Sequence, residues 1–330
     1  MKLEYQNLLK ILIDEVNDLV LNNQSDDCLK IIAEDFEHHP NSAALYYIQG
    51  FLYDKIGKSN DAKIYYEKAY DVNPDYFLGI EVYNKAVEML NSVNDTASKD
   101  NETTVATALK QLKIAIDYLE KAHKNAPQDG YAESAMMNSY IGVINFYIET
   151  NQSYSALEYL AKAIELEADN ATFFFAQGAL YDKIGKSDEA KVSYEKAIEI
   201  NPEYFDPWLN LGIQIYNKAI EMAKIADKIP IKKHKEYDVA IVAALEQMNK
   251  SVPYFERAYE INPEDSYVMN ALMESYAKLR RTHPEYNEKY NEIKAKLDST
   301  MQQGNKDSTT IITRFQSWLS GVFSFKRTDN

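Results

Sequence analysis

Two copies of one tripeptide, Gly57-Lys58-Ser59 and Gly185-Lys186-Ser187, come nearest to a known chemistry in this chain. A phosphate-binding loop ends in those residue types: its backbone amides wrap the phosphates, its lysine neutralises them, and it follows a strand. Here the first glycine of such a loop is replaced by Leu52 or Leu180 and helix-forming sequence precedes it, so both tripeptides read as turns between helices. His38, His39, His123, His234 and His283 are scattered. Only the first two adjoin, and adjacent residues on a helix point apart. Acidic pairs such as Asp188-Glu189 belong on solvated helix faces, and no carboxylate is spaced against a nucleophile or a base. Cys28 falls where a small buried residue is wanted and reads as structural. The chain is therefore expected to carry no catalytic residue, no metal and no cofactor.

The elements that would position any site are helices. Ten Gly and nine Pro in 330 residues leave little material for β-turns, while a 45% hydrophobic fraction is enough to build a core. A formal charge of −15 repels phosphate backbones, so nucleic acid is not the expected partner. One cysteine excludes an internal disulfide and a multi-thiolate zinc site. Lys10, Asp14 and Glu15 interrupt the first apolar stretch, which does not read as a signal peptide, and no run approaches the ~20 apolar residues of a membrane span. A cytoplasmic location is the expectation.

The strongest signal is internal repetition. Residues 50–77 and 178–205 are identical at 19 of 28 aligned positions. Each has a Gly, a Tyr three residues later, an Ala twelve after the Gly, a second Ala seven further and a Pro five beyond: Gly50, Tyr53, Ala62, Ala69, Pro74, and Gly178, Tyr181, Ala190, Ala197, Pro202. The glycine lets a partner helix approach closely. The alanines share one face of the second helix, with Tyr66 or Tyr194 filling the space between them. Gly57 and Gly185 suit a left-handed helix end, Ser59 and Ser187 a following N-cap, and the proline stops the second helix.

Weaker copies surround these two. Val16, Cys28, Asp35 and Pro40 mark a first repeat over 9–42, and 43–76 is the second. A third ends on Ala115, Ala122 and Pro127 and carries an insertion near 92–104; a fourth spans 137–170 and a fifth 171–204. A sixth ends on Phe255, Ala258 and Pro263 and carries an insertion over 223–238; a seventh from Ser266 is terminal. Repeats one to three map onto four to six, the first two at an offset of 128 residues. Tyr83-Asn84-Lys85-Ala86 and Tyr216-Asn217-Lys218-Ala219 lie 133 apart instead, so five residues, most simply Asp206 to Asn210, are present in one half only and the register of the third repeat is open.

The spacing resembles the tetratricopeptide repeat, a 34-residue helix-turn-helix unit. The resemblance covers about nine tenths of the chain and implies an all-α, right-handed α-solenoid of about seven repeats over residues 1–300, built from a duplicated three-repeat module and a terminal repeat. It also implies a non-enzymatic scaffold that binds a protein or peptide in a concave groove lined by first helices. The groove positions of that family fall on Tyr47, Phe51, Asp54 and Lys55; on Asn138 and Asn145; on Phe175, Asp182 and Lys183; and on Tyr216 and Asn217. Some of these aromatics are expected to pack between helices instead. The lysine and asparagine with which some family members clamp a terminal carboxylate are replaced here by Tyr47 and Phe51, Ile141 and Asn145, or Phe175 and Ala179.

The last residues differ in kind. Beyond a polar linker at 301–310, the segment 311–330 is an amphipathic tail in which Phe315, Trp318, Leu319 and Phe323 recur near helical spacing, with Arg314, Lys326 and Arg327 beside them. Docking on the solenoid, peripheral contact with a membrane through 311–327, and binding to another protein all suit this pattern.

Overall fold

The computed structural model describes residues 39–93, 99–126 and 130–302, together with Lys30, Ile32 and Phe36. Most of the first repeat, Cys28 included, and the tail with Phe315, Trp318, Leu319 and Phe323 lie outside the described residues. The described chain is helical throughout and forms two compact units, the first ending at Leu166 and the second beginning at Glu167. That boundary falls between the fourth and fifth repeats, one repeat later than the boundary of the duplication.

In the first unit the helices pair in order: α1 (Ala43–Lys55) with α2 (Ser59–Val72), α3 (Pro74–Asn91) with α4 (Lys99–Asn125), and α5 (Gly130–Glu149) with α6 (Ser153–Leu166). The first helices also touch one another, α1 against α3 and α3 against α5. In the second unit α7 (Ala171–Lys183) pairs with α8 (Ser187–Ile200). Helix α9 (Phe205–Ala226) packs on α10 (His234–Asn249) and α11 (Val252–Ile261), and α12 (Ser266–Leu279) packs on α13 (Tyr286–Gln302). The insertion at 223–238 lengthens α9, adds a short 3-10 turn at Ile231–Lys233 and opens α10. The insertion at 92–104 runs into the first turns of α4. The long second helix of the third repeat is unbroken, whereas its counterpart in the sixth divides at Lys250–Ser251, because Pro253 has no N–H for the Asn249 carbonyl four residues back and its ring clashes with that carbonyl.

Close helix approach explains the conserved types within the repeats. A Cβ added to Gly50 would lie 2.7 Å from the Tyr66 ring, one on Gly178 2.6 Å from Tyr194, and one on Gly212 2.5 Å from Phe255. In the third repeat the same place is taken by Gly79, facing Leu119 at 2.7 Å. This settles the register: Gly79 corresponds to Gly212 and Pro74 to Pro207, both 133 residues apart. The five extra residues are therefore 202–206, most of the linker and the first two residues of α9, rather than Asp206–Asn210. Asn73 alone joins α2 to α3, taking a hydrogen bond from the Tyr76 amide, whereas residues 201–204 join α8 to α9. The paired alanines Ala62 and Ala69, Ala156 and Ala163, and Ala190 and Ala197 are all buried.

Gly57 (φ 75°) and Gly185 (φ 77°) end their helices in the left-handed region, as their position demands. Asn151 (φ 58°) does the same in the fourth repeat. At all three sites the same amide pair closes the turn: Gly57 to Asp54 and Lys58 to Tyr53, Asn151 to Ile148 and Gln152 to Tyr147, Gly185 to Asp182 and Lys186 to Tyr181. The next helix restarts at once, so Lys58 and Lys186 occupy the N-cap and Ser59 and Ser187 are already in the first turn. The serine-cap expectation is corrected on that ground. Side-chain caps stand at other helix starts, on Ser42, Asn170 and Asp265.

A polar tie recurs in both units. Glu120 on α4 accepts from Tyr140 Oη on α5 at 2.6 Å and from Lys162 Nζ on α6 at 2.9 Å. Glu256 on α11 accepts from Tyr276 Oη on α12 at 2.8 Å and from Lys289 Nζ on α13 at 2.5 Å. Each tie joins the second helix of one repeat to both helices of the next.

Candidate interaction cleft

The expected groove residues divide into those that hold helices together and those left open. Tyr47 on α1 is 8% exposed; its hydroxyl donates to Glu81 Oε1 at 2.8 Å and accepts from Asn84 Nδ2 at 2.9 Å, both on α3. Burial first, then the Glu81 carboxylate, pushes that hydroxyl far above its usual pKa, so it remains a donor. Phe175, the counterpart of Tyr47 on α7, is 3% exposed and packs its ring 5.7 Å from Tyr194 and 5.3 Å from Tyr204. Its side chain belongs to the core of the second unit and offers no open face. Tyr216 is half-buried, with its ring 6.3 Å from Phe255 and its hydroxyl donating to Glu274 Oε2 at 2.9 Å. Phe51 is half-buried, with Lys55 Nζ 5.1 Å from its ring centre. Asp54, Lys55, Asn138, Lys183 and Asn217 are exposed, and Asn145 is half-buried.

Asp54 and Asp182 occupy equivalent positions and fare differently. Asp182 is half-buried and accepts from Tyr194 Oη at 2.9 Å and from Gln214 Nε2 at 3.0 Å. Burial raises its pKa, against those two hydrogen bonds. The residue equivalent to Gln214 in the first unit is Glu81, an acceptor with no proton to give when ionised, and its carboxylate takes the Tyr47 hydroxyl instead. Asp54 keeps the hydrogen bond from its own tyrosine, Tyr66, but without the amide it stays exposed and lines a cleft of about 420 Å³.

That cleft is lined by the end of α1, one side of α2 and the start of α3. Tyr66, Tyr70 and Phe77 supply its apolar wall; Phe77 sits 6.0 Å from Tyr66 and 5.9 Å from Tyr70, both edge-on. Asp54, Glu67 and Asp71 supply three carboxylates against one cation, Lys63, whose Nζ is 3.9 Å from Glu67. Burial first, then Asp54 and Glu81, holds the Tyr66 hydroxyl well above its usual pKa. Asp54 and Asp71 stand in the last turns of α1 and α2, where the helix macrodipole disfavours an anion by ~0.3–1 kcal/mol. Helix formation does not ask for them there. An aromatic wall with an excess of carboxylate fits the aliphatic stem and cationic head of a lysine or arginine.

Groove positions drawn from first helices point to Asp54 alone among these residues. Tyr66, Glu67, Tyr70 and Asp71 lie on a second helix, and Phe77 belongs to the repeat whose register was open. The signal that could have found them is the doubled aromatic spacing Tyr66, Tyr70, Phe77, which the fifth repeat breaks with Ile198.

The tetratricopeptide repeat family model matches residues 43–76, 171–204 and 243–265, two whole helix pairs and the second helix of the sixth repeat. Over these segments the chain carries tetratricopeptide repeats. Its relatives include human protein O-mannosyl-transferase TMTC1, 24% identical over 177 residues, which are 49% of this chain and 20% of that one. A TPR repeat-containing protein of Methanocaldococcus jannaschii is 36% identical over 55 residues, 17% of this chain and 16% of that one. The aligned stretches thus span a fifth or less of these two relatives. Among solved structures, YrrB, described as a TPR protein with an unusual peptide-binding site, aligns over 73% of this chain and 96% of its own at 17% identity and a TM-score of 0.36. The RpL4 assembly chaperone Acl4 aligns over 84% and 98% at 12% identity and a TM-score of 0.35. Among the described residues, no helix of the chain is long and apolar enough to cross a membrane.

Proposed function

We propose that this protein is a non-enzymatic interaction scaffold that holds an extended segment of a protein partner, with a lysine or arginine of that segment lodged in the Asp54 cleft. Tetratricopeptide repeats support the scaffold role in general. The observation that supports the finer reading is the meeting of Tyr66, Tyr70 and Phe77 with three carboxylates, two of them at helix ends that do not require them. The absent carboxylate clamp agrees with it, because a cleft of this charge repels a peptide carboxylate. Phe51 and Lys55 on α1 would extend the contact along the first unit. In the second unit the exposed Lys183 and Asn217, with the half-buried Asp182 and Tyr216, are the corresponding candidates, and Asn138 and Asn145 are those of α5.

Selection of displayed random peptides on the full chain tests this. Enrichment of lysine or arginine at one fixed position, lost with Asp54→Asn and Glu67→Gln together, is the expected result. Enrichment of acidic or purely apolar peptides would sink the reading. A second reading, recruitment to a membrane through 311–327, is carried by the aromatic face and the three basic side chains of that segment. Vesicle flotation of the full chain and of a chain ending at Met301 tests it, with loss of flotation on truncation as its prediction.

A further inference from the structure

The two long helical hairpins of the duplicated module differ at their tips in a way the fold does not demand. Helix α9 has 22 residues where α7 has 13, so it continues for roughly 13 Å beyond an ordinary first helix at 1.5 Å per residue. Between its end and the first turn of α10, residues 228–235 carry Lys228, Lys232, Lys233 and Lys235 and no acid. Large apolar side chains stand exposed beside them: Ile225 at 65%, Val239 at 71% and Val242 at 51%. Lys235, Val239 and Val242 follow at i, i+4 and i+7 and so form one stripe, opposite the buried Ala244 and Met248. Lys233 is engaged by Glu236 at 2.9 Å, Asp227 and Asp238 are the other acids between 223 and 242, and Glu221 and Glu246 flank that stretch.

The equivalent hairpin of the first unit, α3 with α4, carries Asp95, Asp100 and Glu102 against Lys99 over 92–104. None of the exposed large apolar residues among the described ones lies on it. A hairpin of this length therefore requires neither the lysines nor the exposed aliphatics.

We infer that the α9–α10 arm is a contact for an anionic lipid surface, with Ile225, Val239 and Val242 entering the headgroup layer and Lys228, Lys232 and Lys235 facing lipid phosphates and carboxylates. Alternating lysines and aliphatics on a projecting helix pair suit a broad, deformable anionic surface, since a helix pair's outer face has no concavity to enclose a peptide. The acidic remainder of the chain does not forbid this, because ~13 Å exceeds the Debye length of about 8 Å at physiological salt. The inference is independent of the Asp54 cleft.

Co-sedimentation of the full chain with phosphatidylcholine vesicles, with and without phosphatidylserine, is the test. Binding only to the anionic vesicles, reversed by high salt, is expected. A lysine near such a surface multiplies partitioning about fivefold. The triple variant Lys228→Gln, Lys232→Gln, Lys235→Gln should then bind roughly two orders of magnitude more weakly with an unchanged circular dichroism spectrum, and Val239→Ser with Val242→Ser should also weaken binding. Phe315→Ser with Trp318→Ser should leave the phosphatidylserine dependence in place. The proposal is overturned by failure of the full chain to bind, by equal binding to neutral vesicles, by a triple variant that binds normally, or by loss of all binding in the tail variant alone. Retention on an immobilised acidic polypeptide without vesicle binding would assign the arm to a protein partner and overturn it too.

Discussion

Replacing Gly178 by alanine puts the packing argument under direct strain. The new Cβ would sit 2.6 Å from Cδ1 and Cε1 of Tyr194 and 3.1 Å from the backbone carbonyl oxygen of Ala190. Tyr194 has little room to yield, being 1% exposed and tied through its hydroxyl to Asp182 at 2.9 Å. Overpacking of this kind costs about 1–3 kcal/mol. Alanine recovers about 1 kcal/mol of helix propensity over glycine, leaving a net loss of about 0–2 kcal/mol, toward the upper end here because Tyr194 is enclosed and tied. Gly50→Ala is the internal control: its Cβ meets Tyr66, a half-buried ring beside the open cleft, which can move aside. That variant should fall within about 0.5 kcal/mol of the parent once the propensity gain is counted. Urea unfolding followed by circular dichroism and by Trp208 fluorescence in the second unit measures both. A Gly178→Ala protein as stable as the parent, or less affected than Gly50→Ala, would refute the claim that helix approach at this glycine is limiting.

Further expectations follow from the same contacts. Phe175→Ala should cost about 3–5 kcal/mol in denaturant unfolding, because the ring is enclosed by Tyr194 and Tyr204; Phe51→Ala, half-buried, should cost about 1 kcal/mol. Although burial pushes Glu120 up, Tyr140 and Lys162 hold its carboxyl below the ordinary value of about 4.5, so its contribution is present above that pH and is lost as pH falls through the folded value. Stability of the parent and of Glu120→Gln measured against pH should converge in acid, from a gap of no more than about 1 kcal/mol near neutrality at this half-exposed site. Asp182, raised chiefly by burial, has the opposite sign: its penalty grows as pH rises through about 3.8, so Asp182→Asn should gain on the parent toward neutral pH. Asn151→Ala should lose about 1 kcal/mol in the same assay while Asn151→Gly does not, since only the former strains a positive φ.

The parts of the fold that were readable from the chain are those set by local sterics. Gly50, Gly178 and the alanine pairs announce where helices must touch, and Gly57 and Gly185 where they must turn, because few other residues can stand there. Asn151 performs the same turn and was passed over, since asparagine tolerates the left-handed region without being confined to it. The serines after Gly57 and Gly185 look like caps by type, yet the following helix starts one residue too early to use them. The site was less legible. Groove positions defined on first helices found Asp54 but also Tyr47 and Phe175, whose surroundings are decided by long-range partners, Glu81 in one unit and Tyr204 in the other. A linker reduced to Asn73 brings Phe77 against Tyr66 and Tyr70, and no spacing rule within a single repeat encodes that meeting.

Charge reversal at the cleft tests the account most directly. Asp54→Lys with Asp71→Lys places cations in the last turns of α1 and α2, where the helix dipoles favour them, so the fold should be retained or slightly stabilised. Peptides selected on the parent chain should be compared on the double variant by fluorescence anisotropy, each paired with a version bearing glutamate in place of its enriched lysine or arginine. The account predicts that the parent prefers the basic version and the double variant the glutamate version. A preference unchanged by the reversal, in a variant with the parent's circular dichroism spectrum, would contradict it.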